Sequence, residues 1–66
     1  MRMGTIKSDL IAKIGHEETT MRVLYKDGTT FDYLGVPLKV FAAIVRAKSP
    51  GHKLLAVRDN YKFKQV

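Results

Sequence analysis

Apolar positions along the chain change their period, and each change marks an element. Leu10-Ile11-Ala12-Lys13-Ile14-Gly15-His16 is a short apolar run closed by polar Glu17-Glu18-Thr19-Thr20, which predicts a strand and a turn. Met21, Val23 and Tyr25 then alternate with Arg22, Leu24 and Lys26, the period of two expected of a half-buried strand. Asp27-Gly28 follows, a strong hairpin signal between alternating segments, and Phe31 and Tyr33 alternate with Thr30 and Asp32 beyond it. Together these segments predict a three-stranded antiparallel meander with Met21, Val23, Tyr25, Phe31 and Tyr33 on one face.

After Gly35-Val36-Pro37 the period becomes helical. Glycine can take positive φ, and proline holds Val36 extended while suiting a first helical turn. The predicted helix runs from Pro37 to Lys48, with Val40, Phe41, Ile44 and Ala47 as its apolar stripe and Lys39, Arg46 and Lys48 off it. Ser49-Pro50 reads as an N-cap followed by proline at the first helical position, opening a shorter second helix through Leu54, Leu55 and Val57. Tyr61-Lys62-Phe63-Lys64-Gln65-Val66 alternates again, a candidate fourth strand at the C-terminus. The expected class is α+β: a small antiparallel sheet packed against one main helix, with a second short helix. Residues 1–66 form a single domain, with 1–7 flexible or peripheral to it.

Size narrows the picture further. A chain of 66 residues buries only about 60% of the surface its unfolded form exposes. No cysteine is present to add a disulfide or a thiolate metal site, which leaves homo-oligomerisation as a supplement to the core and fits a reducing compartment. The N-terminal residues are too polar for a secretory leader, and no apolar run approaches the roughly 18 residues of a membrane span. A soluble cytoplasmic protein with no membrane association is expected.

Charge adds direction. The formal net charge is +6, and from Arg46 to Lys64 six cations stand against Asp59 alone. Such a surplus favours encounter with nucleic acid, nucleotides or acidic proteins, although it also serves solubility.

Catalytic constellations do not assemble. His16-Glu17-Glu18-Thr19-Thr20 opens like the zinc-protease helix motif but ends in Thr20, so a ligand is missing, and His16 reads as an exposed turn residue. Ser49 and His52 have a spacing that pairs a hydroxyl with an imidazole, yet capping explains Ser49 without chemistry. Glu17 and Glu18 would point to opposite faces of a strand. The five glycines form neither a P-loop nor a dinucleotide fingerprint. The expectation is a non-enzymatic protein without a cofactor.

Ser8, Ile11, Ile14-Gly15, Met21-x-Val23-x-Tyr25, Asp27-Gly28, Phe31-x-Tyr33, Gly35-Val36-Pro37, Ala47-x-Ser49-x-Gly51 and Val57-Arg58-x-x-Tyr61 together carry a family resemblance. The chain resembles the KTSC domain, found at the C-terminus of some lysyl-tRNA synthetases and as stand-alone bacterial and phage proteins. The resemblance runs from about Ser8 to Phe63. In that family the central motif is tyrosine-x-tyrosine, and here its first position is Phe31; His16 stands where an aromatic residue is usual. The synthetase context implies RNA as a ligand.

Three binding readings follow. Nucleic acid, RNA before DNA, suits Tyr61-Lys62-Phe63-Lys64 with Arg58, because cations neutralise phosphates and aromatics stack on unpaired bases. The competing structural account packs Tyr61 and Phe63 onto the core. A second reading, that of a phage-encoded oligomer sequestering a nucleotide-type immune signal, would use Arg58, Lys53 and the amides after Ser49 as anion contacts. Against it, Ser49 merely caps and Arg58 pairs with Asp59 or Asp32. A third reading docks an acidic host protein on the same basic face. The candidate nucleic-acid or anion-binding residues are Arg58, Lys62, Lys64, Lys53, Tyr61, Arg46 and Ser49; no metal site is expected.

Overall fold

In the computed structural model, which describes residues 1–66, five strands and two helices form from this pattern. The strands are β1 (Met3–Thr5), β2 (Ile11–Glu17), β3 (Thr20–Tyr25), β4 (Thr30–Leu34) and β5 (Lys62–Gln65). They lie in sequence order, each antiparallel to its neighbour. Helices α1 (Leu38–Arg46) and α2 (Pro50–Val57) and a 3-10 turn at Arg58–Asn60 link β4 to β5.

The register realises the alternation read from the sequence. Met21 opposes Tyr33 and Val23 opposes Phe31, so the predicted apolar face forms, and Ile14 extends it opposite Val23. On that inner face lie Ile11, Ile14, Met21, Val23, Tyr25 and Tyr33; Val36, Ile44 and Leu54 complete the buried core. Asp27 and Gly28 make the expected turn. Gly28 has φ 95°, and the Asp27 carboxylate accepts hydrogen bonds from the amide and hydroxyl of Thr29 at 2.9 and 2.6 Å. Gly35 also takes positive φ, at 74°, where β4 turns toward α1.

Three features differ from the sequence expectation. The sheet has five strands rather than three or four: the terminal segment does pair with β4, and Met3–Thr5 adds a further edge strand to β2. Helix α1 stops at Arg46, short of Lys48, because Ala47 turns extended (φ −67°, ψ 150°). Ser49 must itself leave helical geometry ahead of Pro50, so the two helices cannot merge. Finally, His16 is not an exposed turn residue. It is half-buried in β2, its ring stacks on Phe41 at 5.2 Å, and its Nε2–H donates to the Val36 carbonyl at 2.7 Å. The imidazole thus packs as an aromatic ring on α1 and ties β2 to the Gly-Val-Pro corner.

Gly15 explains how β1 reaches the sheet. A Cβ there would lie 2.6 Å from the Arg2 carbonyl oxygen and 2.7 Å from the Met3 sulfur, whereas one at Gly4 would find nothing nearer than 4.0 Å. Gly15→Ala is therefore expected to cost about 1–3 kcal/mol and to loosen β1, with Gly4→Ala tolerated. Thermal melts and amide exchange at Met3–Thr5 check this; equal effects at the two glycines would contradict it. Gly51 plays a similar part in α2, where a Cβ would press on Leu10 Cβ and Ser8 Oγ, both at 3.2 Å. Ser8 is itself held, its hydroxyl oxygen accepting from the amides of Leu10 and Ile11 at 3.1 and 3.2 Å. These contacts give the Ser8 and Gly51 positions a packing role.

Candidate nucleic-acid interface

Strand β5 is exposed along its whole length and pairs only with β4, which leaves its other edge free. Its alternation sends side chains to two sides of the sheet. Lys64 opposes Asp32 and Lys62 opposes Leu34, on the face away from the helices, while Phe63 opposes Tyr33 on the helix side. The basic and aromatic residues of Tyr61-Lys62-Phe63-Lys64 are therefore neighbours along the chain but not on one surface.

On the helix side, Phe63 leans on Phe31 and Tyr33, with ring centroids 5.8 and 6.0 Å away. It nonetheless remains 61% exposed. Phe31, Tyr33, Arg58, Asp59 and Phe63 line an open cavity of about 230 Å³. Below it the hydroxyls of Tyr25 and Tyr33 share a buried 2.6 Å hydrogen bond, and Arg58 Nη1 donates to the Tyr25 oxygen at 3.4 Å. The hydrogen bond to Tyr25 raises the Arg58 pKa further above its ordinary value. Burial, reinforced by the hydrogen bond that the Tyr33 hydroxyl makes to Tyr25, pushes that hydroxyl up from 10.0 to about 12.

That shift has a direction in stability. With the folded pKa raised, the contribution of Tyr33 is complete below pH 10.0 and is lost as pH rises toward about 12. Tyr33→Phe is expected to flatten the alkaline limb of the stability–pH curve over this window. Chemical denaturation across the window checks it; an unchanged slope would contradict it.

The opposite face is polar and basic. Asp32 is buried there and accepts from Arg22 Nε and Nη2 at 2.7 and 2.9 Å, and this hydrogen bonding holds its carboxyl below the usual carboxylate range. Lys64 opposes it on β5, and Lys13 lies on the same side of β2. The ion pairs are Arg22 with Asp32 and the N-terminal amine with Glu17. Arg22 is thus the one cation among the 12 Lys and Arg side chains with a carboxylate within 4.0 Å, and the positive charge of Lys13, Lys62 and Lys64 is left to act outward. Asp32, taken by Arg22, is no partner for Arg58, and Asp59 forms no ion pair with it either; Arg58 rests on Tyr25 instead.

The seven candidate residues fall in separate places. Arg58 lines the aromatic cavity, and Lys62 and Lys64 occupy the far side of β5. Tyr61 is half-buried against the core, as the packing account of it required. Arg46 is exposed in the last turn of α1 and Lys53 is exposed on α2. Ser49 occupies the N-cap of α2, but its hydroxyl makes no cap hydrogen bond. It lines a different and larger cleft, about 600 Å³, with Lys7, Ser8, Lys26, Lys48 and His52. The cavity residues missing from the sequence set are Phe31, Tyr33, Asp59 and Phe63. The period of two already separated Phe63 from its flanking lysines; only the β4 pairing could show what it leans on.

A five-stranded antiparallel sheet with two helices inserted before its last strand defines a small α+β domain. The KTSC domain family model matches residues 7–54, and the chain belongs to that family. A crystal structure of a KTSC domain protein from Yersinia pestis has the same fold. Its TM-score is 0.93 at 20% identity, over 98% of this chain and 96% of that one. No curated protein matches the chain. No helix is long and apolar enough to cross a membrane.

Proposed function

We propose that this domain binds single-stranded RNA along β5. Phosphates lie against Lys62 and Lys64, and an unpaired base reaches over the strand to Phe63. The observation that carries the reading is Phe63: a large aromatic side chain left 61% exposed, beside a half-buried guanidinium that no carboxylate neutralises. Aromatic faces next to cations are the elements from which single strands are held without a duplex. Duplexes hide their base faces, so an exposed ring on a narrow strand edge favours unpaired nucleic acid. The free side of β5 gives a bound strand room to pass from one face of the sheet to the other.

The test is fluorescence anisotropy of labelled single-stranded RNA at low and moderate salt, with the Arg58→Ala, Lys62→Ala, Lys64→Ala variant alongside. Saturable binding that weakens with salt and is lost in the variant is the expected result. Absence of binding at micromolar protein, or full binding by the variant, would overturn the proposal.

A further inference from the structure

The polar groups of the aromatic cavity narrow the ligand further, on the footing of the RNA-binding reading. We propose that the cavity lined by Phe31, Tyr33, Arg58, Asp59 and Phe63 reads one unpaired guanine stacked on the open side of Phe63, with Arg58 on its Hoogsteen edge and Asp59 on its Watson–Crick edge.

The volume sets the scale. About 230 Å³ lies below the roughly 300–1,000 Å³ of pockets that enclose whole small molecules, so one planar ring system fits and the sugar and phosphate stay outside. Phe63, packed edge-on to Phe31 with its planes inclined by 72°, keeps its outer surface open for a ring to stack upon.

Identity comes from the two charged groups. Arg58 offers donors only; one Nη1 hydrogen bond goes to Tyr25, and the guanidinium carries five N–H in all. The Asp59 carboxylate offers acceptor oxygens, and no cation lies within 4.0 Å of it. Guanine presents two adjacent acceptors, N7 and O6, followed by two adjacent donors, N1–H and the N2 amino group. It can satisfy the guanidinium and the carboxylate together, each with a pair of bonds. Adenine sets its amino group between two acceptors. Uracil sets its one N–H between two carbonyls. Cytosine has two acceptors but a single amino donor group. Each of these leaves part of one charged group without its pair of bonds, so guanine alone gains the full set of charge-assisted hydrogen bonds.

The experiment compares uridine oligonucleotides carrying one central guanosine, inosine, adenosine, cytidine or uridine, by anisotropy at fixed salt, with wild-type protein and Asp59→Asn. Guanosine is expected to bind at least about tenfold tighter than the other bases. Inosine, which lacks the N2 amino group, should fall between. Asp59→Asn should reduce guanosine to the level of inosine, with circular dichroism unchanged because Asp59 is exposed on its turn. Equal affinity for all five oligonucleotides, with salt dependence intact, would overturn guanine reading and leave RNA binding standing. A guanosine preference that survives Asp59→Asn would overturn the assignment of the carboxylate. Failure of every oligonucleotide to bind would overturn both proposals.

Discussion

Leu54→Ala is expected to lose about 2–5 kcal/mol of folding stability, the cost of emptying a fully buried leucine site. The chain has little to spare. At roughly 0.05–0.15 kcal/mol per residue, a domain of this length holds about 3–10 kcal/mol in all. Its helices are anchored sparsely: of the nine buried core residues, α1 supplies Ile44 and α2 supplies Leu54, both fully inaccessible. Emptying the Leu54 site therefore removes the principal attachment of α2, and with it the support for the Arg58 turn and β5 that follow. For a domain this small each kcal/mol moves the melting midpoint by about 4–8 °C, so a drop of at least about 8 °C is expected. Leu55 is the control. It is one residue along and 39% exposed, and its replacement by alanine should change stability by about 0.5 kcal/mol or less. Thermal melts followed by circular dichroism decide the matter. An equal loss at the two positions would mean that α2 is not seated as described.

The strands and helices were legible because their periods are clean, and the departures have identifiable physical causes. Met21, Val23, Tyr25, Phe31 and Tyr33 recur at every second position around Asp27-Gly28, so face and turn could be read, whereas the pairing of Leu24 with Thr30 appears only once the strands are placed together. Met3–Thr5 could not be read, since a three-residue edge strand carries no period; its presence depends on the missing Cβ of Gly15, visible only once the strands are placed together. The place of His16 is hidden for a related reason. Polarity suggested a turn, but a ring that stacks on Phe41 and donates to the Val36 carbonyl satisfies its polar atom and can pack. The candidate site was legible as a composition and not as a surface. Tyr61-Lys62-Phe63-Lys64 announces cations and aromatics together, and the pleat then parts them. Arg58 met a pair of tyrosine hydroxyls from β3 and β4 rather than a carboxylate, a long-range partnership without local signal.

That parting by the pleat makes the two sides of β5 separable by experiment. For single strands, the slope of log K against log salt is about −0.7 per phosphate neutralised. If Lys62 and Lys64 each hold one phosphate, Lys62→Ala with Lys64→Ala should make the slope shallower by about 1.4 units and weaken binding most at low salt. Phe63→Ala should act otherwise. Loss of a stacked base is worth about 1–3 kcal/mol, which weakens binding roughly 5- to 150-fold by an equal factor at every salt concentration, with the slope unchanged. All three side chains are exposed, so neither variant should disturb the core, and matching melting curves would establish that. Salt titrations of the wild type and both variants read the difference directly. If Phe63→Ala alters the slope as the lysine pair does, or if it leaves affinity untouched, the ring is not stacking a base. A lysine variant with the wild-type slope would equally remove the phosphates from the outer side of β5, and the cation contacts would then have to come from elsewhere on the basic surface.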